Sequence, residues 1–215
     1  MTALFRAFLA LAALAVPALP LSGQTLQEEM ARDVRAVGQR YVALAQAMPD
    51  DTYSWRPGEG VRSVSEVYMH VAAANLGIPA SAMGVPLPEG YTQEMLGGAE
   101  GITDKAEVVR HLEASFAHLA SLLEGLTDQD LQKPVNLFGR DTSWLGAALL
   151  LQTHVHEHLG QSIAYARTNG IVPPWSPLTF LSRLSNDLTT ICWCPTSSST
   201  EMAALRSLLW TMRVF

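Results

Sequence analysis

The sequence predicts an all-α fold, a four-helix bundle with long loops that follows an N-terminal signal segment. Three observations predict it. Four stretches repeat apolar residues at steps of three and four, the spacing that places them on one face of a helix. Each stretch opens on a residue able to cap a helix N-terminus. No sustained period-two alternation of β-branched residues runs through the body, so a sheet has little support. Amphipathic helices of roughly 15 to 25 residues must bury their stripes against one another, and a bundle of four is the simplest arrangement that does so.

The first helix opens at Thr25-x-x-Glu28, a capping box in which hydroxyl and carboxylate each satisfy an exposed amide. Its stripe is Leu26, Met30, Val34, Val37, Tyr41, Leu44 and Met48, and Pro49 stops it. A second box, Ser63-x-x-Glu66, opens a helix whose inward side reads Val67, Val71, Ala74 and Ile78, with Pro79 expected to disturb or end it. Thr103 or Asp104 announces the third, with the stripe Val109, Leu112, Phe116, Leu119, Leu123 and Leu126. Thr142 or Ser143 caps the fourth, from about Trp144 to Thr168, closed by Asn169-Gly170 and Pro173-Pro174. The links Pro49 to Arg62 and Ile78 to Ile102 are long enough for a crossover, so up-down-up-down order does not follow.

The ends of the chain read differently from this body at residues 25–176. Residues 1–24 read as a secretory signal peptide: Arg6, the apolar run Ala7 to Val16, then Pro17, Pro20 and Gly23 ahead of a small-residue cleavage zone. The run is too short to span a bilayer, although an uncleaved anchor helix is the competing reading. A periplasmic or secreted product is expected, with no stable membrane insertion after cleavage. Residues 177–215 read as an appendage of uncertain structure. They form either a fifth helix docking through Leu205, Leu208 and Leu209 or a run altered by a frame change.

Composition excludes some partners. The net charge is −6 and no Lys- or Arg-rich stripe accompanies the six histidines, so nucleic acid is not expected as a partner. The only cysteines, Cys192 and Cys194, are one residue apart, a spacing that strains a disulfide and falls short of a zinc framework.

Chemistry concentrates in Gln152-Thr-His-Val-His-Glu-His-Leu-Gly-Gln161. His154 and His158 are four apart, so a helix projects both imidazoles from one face, one turn from each other. His156 and Glu157 lie about 200° and 300° around from His154, which sets His156 on the far side and aims Glu157 poorly. Two imidazoles hold a metal weakly, and a catalytic site usually has three protein ligands plus water. His70, on the buried edge of the second stripe, is the best third ligand. His111 and His118, beside Glu107 and Ser115 on a more polar flank, read as surface residues. The competing reading of the three is a solvated His-rich face, or core histidines that bind nothing. Gln161 is placed either to hydrogen-bond a ligand imidazole or to lie on the surface. Tyr53 and Trp55 either wall a pocket or, preferably, anchor the loop before the second helix. Glu66 is occupied by its cap, which leaves no general base identified.

Tyr53-x-Trp55-Arg56-Pro57, then Gly60-x-Arg62-Ser63-Val64-x-Glu66 with His70, and His154-x-x-x-His158-x-Gly160-Gln161 in the last core helix together resemble the DinB-like superfamily of damage-inducible four-helix proteins. The resemblance covers about residues 25–176. It implies a bundle with a divalent metal ion, usually zinc or nickel, bound by His70, His154 and His158. It further implies a metal-dependent hydrolase or a transferase for low-molecular-weight thiols. An exported chain would not meet a cytosolic thiol, which favours a hydrolase of an unknown small-molecule substrate. The alternatives are a non-catalytic metal- or small-ligand-binding stress protein and a purely structural bundle. Bundles of this kind often pair, so a homodimer is one expected assembly.

Overall fold

The computed structural model describes residues 24–176; the expected signal segment, apart from Gln24, and the appendage lie outside the described residues. Four long helices carry the fold: α1 (Leu26–Ala47), α2 (Val64–Met83), α3 (Lys105–Gly125) and α4 (Trp144–Thr168). Both capping boxes form. Thr25 Oγ1 accepts from the Glu28 amide at 3.2 Å while the Thr25 amide donates to Glu28 Oε2 at 2.8 Å, and Ser63 and Glu66 repeat the exchange. Asp104 and Ser143 are the caps of α3 and α4. Among the described residues no helix is long and apolar enough to cross a membrane.

Pro79 neither ends nor visibly interrupts α2, which runs on to Met83 and closes at Gly84 in the left-handed conformation, φ 67°. A proline forfeits one backbone hydrogen bond, and the flanking apolar residues compensate: Leu76, Pro79 itself and Met83 are all buried.

Helix α1 packs on α3 and α4, and α2 also packs on α3 and α4, so the two helices consecutive in the chain sit across the diagonal of the bundle. The long link between them makes that crossover. Its middle is pinned inside the bundle by Tyr53, which is buried and donates from its hydroxyl to the Ala45 carbonyl at 2.8 Å. Tyr41, Tyr68 and Phe116 join Tyr53 in a central aromatic group with ring centroids 5.1 to 6.2 Å apart. Tyr41 donates to the Val155 carbonyl at 2.9 Å, tying α1 to α4. Helices α1 and α3 approach closely at Gly38, where a Cβ would meet Phe116 Cγ at 2.7 Å.

Two departures from the sequence reading concern what is buried. Strands β1 (Pro134–Leu137) and β2 (Arg140–Ser143) form an antiparallel hairpin between α3 and α4, where no sheet was expected. Each has four residues, too few to set up a legible alternation, although Val135 and Leu137 do point inward. The connecting pair Phe138-Gly139 has positive φ at both positions, 54° and 83°, as in a type I′ turn. In α3 the buried line is Val108, His111, Leu112, Ser115, Phe116 and Leu119. This line is rotated from the expected one, and it buries His111, read above as a surface residue; His118 is half-buried. Tyr91 gives His111 a neutral partner, with its hydroxyl 2.9 Å from Nδ1.

Candidate metal centre

His70 lies midway along α2, and His154 and His158 lie one turn apart on α4, which packs beside α2. The i, i+4 spacing stacks the α4 pair with ring centroids 4.5 Å apart, and His70 faces both at 5.0 and 4.9 Å. One ring nitrogen from each residue lies within 4.8 Å of the others. The three residues brought together are therefore the three expected from the sequence.

Hydrogen bonds determine which nitrogen is free. Nδ1 of His70 donates to Glu100 Oε1 at 3.1 Å, and Nδ1 of His158 donates to Gln161 Oε1 at 2.7 Å, which leaves both Nε2 lone pairs available. Gln161 is held in turn: its Nε2 donates to the Tyr165 hydroxyl at 2.8 Å, and that hydroxyl donates to the Arg62 carbonyl at 3.1 Å. Trp55 backs this chain by packing edge-on against Tyr165, so the aromatic anchor of the loop supports the site indirectly. Glu100 also accepts from Arg62 Nε at 3.0 and 3.1 Å.

The donor set fits a cation. Nε2 of His154 stands 3.1 Å from Nε2 of His70, close to the ~3.3 Å separating ligand atoms in a tetrahedral site with metal–nitrogen bonds of ~2.05 Å. Nδ1 of His154 is buried without a hydrogen-bond partner. Three convergent imidazoles cannot satisfy all their nitrogens among themselves, whereas a cation bound to three Nε2 lone pairs would satisfy that face of every ring. Burial, then the neighbouring His158, His70 and Arg62, pushes the pKa of His154 down to about 4. Burial, followed by Arg62 and His158, lowers His70 as well, against the opposing pull of Glu100. Both rings are thus neutral and able to ligate near neutral pH.

His156 points away and pairs with Asp33 Oδ2 at 2.7 Å, as its helical angle requires. Glu66 is engaged by its cap and by Arg56 Nη2 at 2.7 Å, and these contacts hold its carboxyl below the usual range. Glu157 corrects the angle argument: a rotation of 300° is also 60° in the other direction, and the residue lines the same cavity of about 750 Å³ as His70, Glu100 and His154. Glu100 and Phe138, the other residues at this cavity that sequence reasoning missed, belong to a 3₁₀ turn and a hairpin tip. Neither has a periodic signal to announce it.

Comparison with known proteins identifies the family and the fold. The family described as the DinB superfamily matches residues 33–162. No curated protein matches the chain. Among solved structures, a DinB-like protein from Bacillus cereus ATCC 10987 is 19% identical with a TM-score of 0.59, the alignment covering 69% of this chain and 96% of that one. The DinB-like YjoA of Bacillus subtilis is 20% identical with a TM-score of 0.51, covering 66% and 92%. YfiT of Bacillus subtilis, described as a probable metal-dependent hydrolase with an unusual four-helix bundle topology, is 15% identical with a TM-score of 0.53, covering 71% and 93%. At these identities the likeness is one of fold.

Proposed function

The chain belongs to the DinB superfamily, and on that premise we propose that it is an exported, divalent-metal-dependent hydrolase of a small molecule. The observation that carries the proposal is the convergence of His70, His154 and His158, with one ring nitrogen of each within 4.8 Å of the others. The description of YfiT as a probable metal-dependent hydrolase supports the reaction class. Zinc or nickel suits three imidazoles, since both are borderline ions that imidazole binds well.

The Nε2 atoms of His70, His154 and His158 would hold the ion. When bound, it supplies Lewis acidity and a lowered pKa for its water, chemistry that serves hydrolysis near neutral pH. The protein does the rest. Glu100 and Gln161 fix the tautomers of His70 and His158 and leave their Nε2 lone pairs for an ion. The chain Gln161, Tyr165, Arg62 carbonyl prevents His158 from turning. Glu157, exposed and lining the same cavity, would be the carboxylate that accepts a proton during attack.

The test pairs metal analysis with turnover. Wild-type protein dialysed against zinc is expected to retain one equivalent and to hydrolyse p-nitrophenyl acetate, whereas His154→Ala does neither. Equal metal content in the two proteins would remove the site. Retained metal without turnover of any ester or amide would leave a metal-binding protein and sink the hydrolase.

A further inference from the structure

His158, Gln161 and Tyr165 follow one another at steps of three and four along α4, so their side chains form one row on the helix. The row ends on the Arg62 carbonyl, which accepts from the Tyr165 hydroxyl at 3.1 Å. Neighbouring contacts hold that carbonyl in place. Arg62 directly precedes Ser63, the cap of α2. The Val64 amide donates to the Trp55 carbonyl and the Ser65 amide to the Tyr53 carbonyl, both at 3.0 Å. Arg56 Nη1 donates to the adjoining Val61 carbonyl at 2.8 Å. Tyr165 is itself buried, with the Trp55 ring edge-on at 5.4 Å.

A carbonyl oxygen can only accept, and this fixes the direction of every bond in the row. Tyr165 has one hydroxyl proton and spends it on Arg62, so towards Gln161 it can only accept. The end of the Gln161 amide that lies 2.8 Å from it is therefore the NH2 group. Oε1 is then the atom 2.7 Å from Nδ1 of His158. An oxygen without a proton requires the hydrogen on Nδ1, and a neutral imidazole protonated there has a bare Nε2. The other two rings are governed differently. The Glu100 carboxylate is an acceptor whatever lies behind it, so His70 needs no relay. Nδ1 of His154 is buried without a hydrogen-bond partner. Of the three, His158 alone has its tautomer decided two side chains away.

Resting on the metal-centre reading, we propose that Tyr165 is a positioning residue of that centre: its hydroxyl, committed to the Arg62 carbonyl, orients Gln161 and so makes His158 present a bare Nε2 to the ion. Without the hydroxyl the amide is free to turn over. Its NH2 group then donates to Nδ1, and the imidazole proton sits on Nε2, where it blocks coordination.

Tyr165→Phe keeps the ring and removes only the hydroxyl. In metal-free protein at about pH 8, above the ordinary histidine range, imidazole ¹⁵N shifts should show His158 protonated on Nδ1 in wild type and as a mixture of tautomers in Tyr165→Phe. Zinc affinity, read by chelator competition, should fall roughly three- to tenfold, less than for the loss of a group that itself touches a ligand. Gln161→Glu supplies the control, because a carboxylate accepts from Nδ1 whichever way it turns. In the Gln161→Glu background, Tyr165→Phe should change zinc affinity less than roughly twofold. Melting temperatures of all four proteins read the structural cost separately. An equal loss of zinc affinity in both backgrounds would reduce Tyr165 to a packing residue and overturn the proposal. So would His158 protonated on Nε2 in the wild type. A wild type that binds zinc while Tyr165→Phe binds it equally well defeats this proposal alone; a wild type that takes up no zinc defeats the metal centre and this proposal with it.

Discussion

Nε2 of His70 and Nε2 of His154, 84 positions apart in sequence, stand 3.1 Å from each other where α2 passes α4. Neither helix makes a site alone, since α2 contributes one imidazole and α4 two. His70→Ala and His154→Ala should therefore both reduce bound zinc below a tenth of an equivalent after dialysis, as read by elemental analysis. His156→Ala, which touches Asp33 instead, should retain it.

Glu100→Gln tests the hydrogen bond behind the site. Losing the charged acceptor on Nδ1 of His70 should weaken zinc roughly 10- to 100-fold in competition with a chromophoric chelator, the usual effect of removing a group that orients a ligand. Unchanged affinity would mean that α2 alone orients the ring.

Glu157→Gln should separate binding from chemistry. Zinc content should match wild type, because the residue is not among the converging nitrogens, while kcat on p-nitrophenyl acetate falls roughly 10²-fold or more, as expected for loss of a general base. A parallel fall in zinc would assign the residue to the ion instead of to proton transfer.

The metal-free protein should lose stability in acid within a defined window. His154 titrates near 4 in the folded chain, and an unfolded histidine titrates near ~6.5. Above the unfolded value neither state holds the proton, and the contribution to stability is complete. As pH falls below it, only the unfolded chain takes up the proton, so stability declines progressively until about pH 4. The melting temperature of chelator-treated protein should thus drop between pH 7 and 5, with a smaller drop in His154→Gln. A flat profile would contradict the burial of this ring.

Gly38→Ala probes the scaffold away from the metal. Alanine gains roughly 1 kcal/mol of helix propensity over glycine, but its Cβ would lie 2.7 to 2.9 Å from Phe116 and force α1 from α3, a strain of typically ~1–3 kcal/mol. The balance falls on the strain. A melting temperature lowered by several degrees with zinc binding intact is the expected result.

The helices and the pairing of His154 with His158 were legible because both depend on local periodicity. Thr25, Ser63, Asp104 and Ser143 cap where their hydroxyls and carboxylates predict, and a four-residue step inside a helix can only place His154 and His158 on one face. Tertiary contact decided the rest. His111 is buried because α3 rolls its polar flank against Tyr91, a residue 20 positions away. Glu100 meets His70 across 30 positions from a 3₁₀ turn, and the hairpin that presents Phe138 is shorter than any pattern a sequence can display. The diagonal placement of α1 and α2 likewise follows from how the stripes pack; the length of the link permits it without dictating it.

That diagonal placement makes α2 and α4 neighbours, so an ion on His70 and His154 ties a ring in the chain spanning 84 positions. The same tie made covalently would remove denatured-state entropy of on the order of 4 kcal/mol by the chain-entropy account, and coordination is its reversible counterpart. Durability of the bundle would then track metal supply: protein loaded with the ion would resist proteolysis, and metal-free protein would be a looser chain open to it.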